Sequence, residues 1–109
     1  TQGEYFRVVR AAHATADDFG THFERGRLPN APPCLRAGLS MFRVGEEAAR
    51  MARLFPVLGA FVASGHLDAS NGVAKLTAGR EPGHTTVWAF THTRRAEPFT
   101  QARPAQSYP

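Results

Sequence analysis

Residues 38–61 read GLSMFRVGEEAARMARLFPVLGAF, and this stretch decides the fold. Its first five residues are a glycine followed by Leu-Ser-Met-Phe, which is typical of a short strand. An apolar pattern with helical spacing follows. Glu46 and Glu47 lie at its start, which is the N-terminal end of the predicted helix, where acidic side chains are favoured. Pro56 ends that helix, because the residue before a proline resists helical geometry. The stretch therefore predicts a strand, a helix and a second strand.

The flanking sequence extends this pattern in both directions. Tyr5–Arg10 is rich in β-branched and aromatic residues and predicts a first strand. A helix is predicted from Thr15, with Asp18 as its capping-box partner, to a C-cap glycine at Gly26. The residues of its predicted buried stripe are Ala16, Phe19 and Phe23. The other predicted strands are Gly38–Arg43, Gly59–Leu67, Val73–Thr77 and Thr85–Phe90. Asn71-Gly72 predicts a hairpin turn.

These elements give the order β-α-β-α-β-β-β, which predicts an α+β domain with a mostly antiparallel sheet and two helices. At 109 residues the chain is long enough for one modest core. Residues 1–91 form the predicted single domain. Residues 92–109 lose the periodicity and are rich in proline, glutamine, alanine and arginine. We therefore expect them to form an exposed or disordered tail.

The net charge of +4 suggests nucleic acid or an acidic protein as a partner. Residues 1–91, however, hold ten basic and eight acidic side chains, and arginine supplies 12 of the chain's 13 basic residues. This bias is also typical of a GC-rich genome, so a merely solvated surface is favoured over phosphate binding by the folded body. Two narrower alternatives are a histidine-dependent ribonuclease and an assembly protein that docks through its proline-rich C terminus.

Other classes of site are disfavoured by composition. The five histidines include no pair at i, i+4, so no metal site is predicted. Cys34 is the only cysteine and is expected to be an inert thiol. No apolar run reaches the roughly 18 residues of a membrane span, and no leader pattern is visible, so we expect a cytoplasmic protein. Because the chain begins with Thr1, we also expect a processed or trimmed N terminus.

Arg7 is the first candidate site residue, because a charged side chain inside a short apolar strand is costly unless it is paired or exposed. One interpretation is an edge strand or an ion pair with Asp17, Asp18 or Glu24. The other is that Arg7 binds an anionic ligand such as a phosphate through its fork of N–H donors.

Ser40 and Trp88 lie on two of the other predicted strands, and His84 directly precedes the strand that contains Trp88. Ser40 is either a strand serine bonded to a neighbour or part of a cleft shared with Arg7. His84 lies at a loop–strand junction and is either structural or an acid–base group, since histidine titrates near neutrality. Trp88 is either a core residue or a platform on which a base stacks. If the site is real, Arg7, Ser40 and His84 must converge on one cleft.

The chain resembles a group of small actinobacterial proteins of uncharacterised function at residues 5–10, 38–42 and 83–88. The resemblance covers about residues 5–90 and lies in the order and spacing of these motifs. More distantly, a first-strand arginine, a helix and a serine strand that leads into a helix are similar to the opening of the ADP-ribosyltransferase fold.

That second resemblance implies a function for the candidate residues. In the ADP-ribosyltransferase fold the arginine contacts the NAD phosphates and the serine strand shapes the nicotinamide pocket, so Arg7 and Ser40 would take those places. The family's later carboxylate has no clear match. Glu81 lies in a loop three residues ahead of His84, and His84 is the candidate for the ribose contact. The implied cofactor is NAD or a related phosphate-bearing ligand.

Overall fold

Over residues 2–109, which the computed structural model describes, six antiparallel strands form one sheet. In chain order the strands are β1 (Gly3–Val9), β2 (Leu39–Phe42), β3 (Phe61–Leu67), β4 (Gly72–Leu76), β5 (His84–Ala89) and β6 (Gln101–Pro104). Across the sheet the order is β4-β5-β2-β1-β3-β6. The predicted α+β class with a mostly antiparallel sheet is confirmed.

The helices of the described residues are short. They are α1 (Pro33–Arg36), α2 (Gly45–Leu54) and 3-10 turns at Ala16–Phe19, Pro56–Leu58 and Ala105–Ser107. Helix α2 ends before Pro56, as its sequence predicts, and buries Ala48 and Ala49 completely. None of the helices in this part of the chain has the length and apolar character that a bilayer span requires.

Each face of the sheet carries its own core. The buried residues of the first core are Tyr5, Val9, Phe19, Leu39, Met41, Ala63, Leu67, Val87 and Phe99. The buried residues of the second core are Phe42, Ala48, Ala49, Ala52, Val62 and Ala105. Because strand side chains alternate between faces, β1 contributes Tyr5 and Val9 to the first core and packs Phe6 against the second. Arg7 therefore starts from the face of the first core.

The predicted helix from Thr15 to Gly26 is wrong beyond its first turn. Asp18 accepts a hydrogen bond from the Thr15 backbone N–H at 2.9 Å, as the capping pattern predicts, but the turn ends at Phe19. Thr21 and Glu24 then bond reciprocally to each other's backbone N–H at 2.9 and 3.0 Å. These side-chain bonds offer the backbone an alternative to a continued helix.

The expectation of a tail outside the domain at residues 92–109 is also corrected. Strand β6 pairs with β3 over four registered residues, from Phe61↔Pro104 to Ser64↔Gln101. Phe99 is 4% exposed in the first core, and its ring lies 4.9 Å from that of Phe19. The prolines fit, because β6 is an edge strand and an edge tolerates a residue without an N–H donor.

The hairpin predicted at Asn71-Gly72 does not form. The turn itself is present, since the Asn71 N–H donates to the Asp68 carbonyl at 3.0 Å. Strand β4, however, pairs with β5, and β3 lies four positions away across the sheet, between β1 and β6. Both sides of β3 are occupied by strands distant in sequence, so the local turn does not determine the pairing.

Candidate functional site

Strand β1 is paired very differently on its two sides. With β3 it forms seven consecutive registered pairs, from Gly3↔Leu67 to Val9↔Phe61. With β2 it shares one registered pair in the described chain, Phe6↔Phe42. No further registered pair joins the two strands in residues 2–109, and this leaves an opening in the middle of the sheet. We call this opening the split.

A cavity of about 230 Å³ lies at the split. It reaches both faces of the sheet, because its wall includes Leu39 from the first core and Phe42 from the second. Met51 of α2, with Val57 and Leu58 of the following 3-10 turn, forms an apolar side. The cavity thus opens where the sheet ladder is interrupted.

Arg7, Ser40 and His84 all line this one cavity. Arg7 comes from β1, Ser40 from β2 and His84 from the first residue of β5. The register places His84 opposite Phe42 and Ser40 opposite Thr86, so the side chains of Ser40 and His84 share the face of the second core. Three strands that are separate in sequence therefore contribute one polar group each.

The Arg7 side chain reaches across the split. Its Nη1 donates to the Ser40 carbonyl at 2.7 Å and its Nε donates to the Asp18 carbonyl at 2.8 Å. The guanidinium also lies 5.2 Å from the centre of the Phe19 ring. A guanidinium carries five N–H groups, and in residues 2–109 the other three make no hydrogen bond. Arg7 is therefore held in place while three of its N–H groups are available to a ligand.

The charge of Arg7 is not balanced by a carboxylate. Among the described residues it forms no ion pair, so the predicted pairs with Asp17, Asp18 and Glu24 are wrong. Burial, which is the largest cause, and the nearby charge of Arg25 together lower the pKa of Arg7 to about 10, and the Asp18 carboxylate opposes them only in part. Arg7 is still cationic at neutral pH, and an anion in the cavity would stabilise it.

Ser40 has two separate roles in this geometry. Its main-chain carbonyl anchors Arg7, as described above. Its side chain is exposed to the cavity, and Oγ has no hydrogen-bond partner within residues 2–109. A hydroxyl in this position can donate to or accept from a bound ligand.

His84 is oriented by its neighbours. Its Nδ1 lies 2.9 Å from the Thr77 carbonyl and 3.0 Å from the Thr77 hydroxyl, and its ring packs edge-on against Phe42 at 5.3 Å. A carbonyl only accepts, so Nδ1 carries the proton in this bond. In the neutral ring Nε2 is then an acceptor, and it has no partner in the described part of the protein.

Trp88 and Glu81 lie outside the cavity. Trp88, predicted to be a stacking platform for the cofactor, donates through Nε1 to the Cys34 carbonyl at 2.8 Å and packs beside Gly38. It fixes the approach to β2 instead of lining the cavity. Glu81 is buried and pairs with Arg50 of α2, with a shortest contact of 2.7 Å. That ion pair engages its carboxylate away from His84.

Four further basic residues of the cavity were not predicted from the sequence. They are Arg10, His22, Arg25 and Arg27. Two of them, His22 and Arg25, lie in the segment predicted to be a helix, and Arg27 follows its predicted C-cap at Gly26. That helix would place His22 and Arg25 on one face without Arg27, whereas the observed turns gather all three at one edge of the cavity. The clustering of basic residues between 22 and 27 was the available signal.

The pKa of His22 reflects the positive electrostatic potential at this edge of the cavity. Burial lowers the pKa of His22, and the charges of Arg27, Arg25, Arg7 and Arg36 lower it further. Two carboxylates line the cavity, those of Asp17 and Asp18. Asp18 accepts from the backbone N–H groups of Arg10 and Thr15 at 3.2 and 2.9 Å. The site therefore favours anions.

The comparisons with known proteins do not extend this description. The chain matches no protein-family model, no curated protein and no solved structure. Within residues 2–109, no group of three or more histidine, cysteine, aspartate or glutamate residues has the arrangement of a metal site. The geometry of the cavity is therefore the guide to function.

Proposed function

We propose that the cavity binds NAD or a closely related nucleotide through its phosphates, and that the protein acts as a small ADP-ribosyltransferase-like enzyme. The observation that carries the proposal is the state of Arg7. Its guanidinium is half-buried, held by two carbonyl groups and without a carboxylate partner in residues 2–109. A phosphate would supply the missing negative charge, and arginine is well suited to phosphate because its N–H groups bind in pairs.

The size of the cavity limits how such a ligand is bound. Pockets that enclose a whole drug-sized ligand usually measure at least about 300 Å³. The 230 Å³ available here accommodates one half of a dinucleotide. The nicotinamide and its ribose would enter the apolar side near Met51 and Leu58, while the pyrophosphate meets Arg7 and the adenosine lies outside.

Ser40, His84 and Asp17 would surround the reacting ribose. Oγ of Ser40 and Nε2 of His84 are both available to hydrogen-bond with hydroxyl groups of the sugar. The Asp17 carboxylate makes no hydrogen bond in the described residues, although its main-chain carbonyl accepts one from Arg25. Of the two carboxylates that line the cavity, that of Asp17 is therefore the one available to a ligand.

The transfer would break the bond between C1′ of the ribose and the nicotinamide nitrogen. The electron pair leaves with the nicotinamide, which becomes neutral, and positive charge develops on the ribose. A carboxylate close to that charge stabilises the transition state, which is the role proposed for Asp17. The acceptor nucleophile then bonds to C1′ and releases its proton, and His84 Nε2 can accept it.

Isothermal titration with NAD tests the binding step. We expect the wild-type protein to bind NAD in the micromolar-to-millimolar range. Arg7→Gln should weaken binding about 10- to 100-fold, because a charge-assisted hydrogen bond contributes about 1.5–3 kcal/mol. The matched control is Arg43→Gln, since Arg43 lies on the neighbouring strand end and stacks on Tyr5, 4.3 Å from its ring centre, outside the cavity.

Two outcomes would contradict the proposal. One is the absence of heat from the wild-type protein at millimolar NAD. The other is an equal loss of binding in Arg7→Gln and Arg43→Gln. For the chemical step, chromatography of released nicotinamide should show turnover that falls in Asp17→Asn and His84→Asn while NAD is still bound.

A further inference from the structure

The segment that forms the basic edge of the cavity, residues 21–28, is firmly held. Glu24 pairs with Arg95 at 2.6 Å, and the Phe23 N–H donates to the Arg36 carbonyl at 2.9 Å. The reciprocal bonds between Thr21 and Glu24 close the turn. These contacts tie the segment both to α1 and to the C-terminal part of the chain, so its side chains are displayed in a fixed arrangement.

The most unusual side chain of this segment is Phe23. The sequence places it in an apolar stripe and predicts burial, but it is 62% exposed. The Arg36 guanidinium lies over its ring, 5.2 Å from the centre. Most of the ring surface is nevertheless accessible to another flat group. A rigidly displayed aromatic ring beside arginines is the arrangement on which nucleic acid bases stack.

The charges around Phe23 are consistently positive. Arg36 donates through Nε to the Arg27 carbonyl at 3.1 Å, which places these two arginines side by side. Their guanidinium groups form no ion pair in residues 2–109, and the same holds for Arg25. The one carboxylate of the segment, that of Glu24, is already paired with Arg95. Within residues 21–28 an anionic partner would therefore meet no unpaired carboxylate.

We propose that Phe23, Arg27 and Arg36 form a binding surface for single-stranded nucleic acid. A base stacks on the Phe23 ring, and the flanking phosphates contact the two arginines. The strand must be single because a duplex keeps its bases stacked inside and leaves none for the ring. This surface does not depend on a nucleotide in the cavity, so the proposal stands apart from NAD binding.

Fluorescence anisotropy with labelled 12-nucleotide DNA and RNA strands tests the surface. We expect both to bind, and Phe23→Ala to weaken binding at least about fivefold, the lower range for loss of one stacked base. Phe23→Trp should retain wild-type affinity. With about two phosphates contacted, one by each arginine, binding should fall about sevenfold between about 50 mM and about 200 mM salt, and less steeply in the Arg27→Gln, Arg36→Gln double variant.

Matched controls come from an aromatic residue and an arginine outside the proposed surface. Phe90 is 38% exposed and Arg94 has a highly exposed side chain, and neither lines the cavity. Phe90→Ala and Arg94→Gln should leave strand binding unchanged. Equal urea midpoints for wild type, Phe23→Ala and Phe23→Trp would exclude unfolding as the cause of any loss.

Several results would overturn the proposal. These are no binding of either strand at low salt, equal affinity in Phe23→Ala and wild type, and tighter binding of duplex DNA than of the single strands. Equal binding of an acidic peptide such as polyglutamate would also overturn it, because that partner needs the charge but not the ring. Since NAD is absent from these assays, failure here leaves the result of the NAD titration unaffected.

Discussion

The two sides of strand β1 differ in what they contribute. On one side, seven consecutive pairs join β1 to β3 and close the sheet. On the other side, a single pair joins β1 to β2, and the Arg7 side chain bridges the gap to a β2 carbonyl. The closed side contributes to stability through its ladder and core. The open side exposes polar groups that a complete ladder would have covered, and this is what makes a site.

Two arginines illustrate the same contrast. Arg50 on α2 forms a pair with the buried Glu81, and that bond raises its pKa. Arg7 at the split contacts carbonyl oxygens, and burial lowers its pKa to about 10. A structural arginine is one whose charge is already balanced by the protein. The imbalance at Arg7 is the physical reason to expect a ligand there.

The largest expected effect comes from breaking the closed side at Phe99. Phe99→Ala removes a ring that is 4% exposed and packed on Phe19, so it should lower the free energy of unfolding by about 3–5 kcal/mol. Urea denaturation followed by fluorescence measures this change. A loss below about 0.5 kcal/mol would mean that residues 92–109 do not belong to the folded domain.

Filling the cavity on the open side of β1 should do the opposite, because it should lower ligand affinity while stability hardly changes. Ser40 is exposed to the cavity, so Ser40→Phe places a ring in the space proposed for the ligand without disturbing either core. We expect at least a tenfold loss of NAD affinity, about 1.4 kcal/mol, with a nearly unchanged urea midpoint. Wild-type NAD affinity in Ser40→Phe, measured by titration, would place the ligand elsewhere.

The pH dependence of NAD binding should come partly from His22. Burial and the surrounding arginines lower the pKa of His22, and a bound phosphate would raise it again. A ligand that raises this pKa binds more tightly as the pH falls, up to about tenfold for each unit by which the pKa rises. His22→Asn should flatten this part of the profile, whereas His66→Asn, outside the cavity, should not. Unchanged profiles in both variants would contradict a role for His22.

The smallest expected effect concerns the ion pair that holds the basic edge in place. The hydrogen bond from Arg95 lowers the pKa of Glu24 to about 2, below its unfolded value of about 4.3. The stability this contributes is present above about pH 4.3 and is lost as the pH falls toward 2. Because Glu24 is 48% exposed, we expect less than about 1 kcal/mol. Glu24→Gln should remove this acid-dependent component of the urea midpoint, and an unchanged acid slope would argue against the pair.

The strands were predictable because their signals are local. Alternating β-branched and aromatic residues identify β1 and β5, and Pro56 ends α2 as its backbone requires. Strand β6 was missed because its short, proline-containing sequence gains its structure from pairing with β3, which lies about 40 residues earlier. The hairpin predicted from the Asn71-Gly72 turn was wrong for the same reason, since pairing with distant strands overrides a local turn signal.

The candidate site likewise contains some residues that the local sequence predicts and others that depend on distant contacts. Arg7 and Ser40 could be identified because each lies on a predicted strand and is polar where its neighbours are apolar, and His84 because it directly precedes a predicted strand. His22, Arg25 and Arg27 could not, because their arrangement depends on the contact between Glu24 and Arg95, which is 71 residues away in sequence. The exposure of Phe23 follows from that same turn. Local periodicity carries no information about such a contact.

A nitrogen-15 NMR titration with NAD tests the central claim most directly, because it reports on both sides of β1 at once. We predict shifts concentrated in the backbone amides of residues 38–42 and 17–27 and in the side-chain Nε of Arg7. The amides of Phe61–Leu67 on the closed side should remain unchanged. Shifts that are absent, or that are as large along β3 as along β2, would contradict a ligand site at the split.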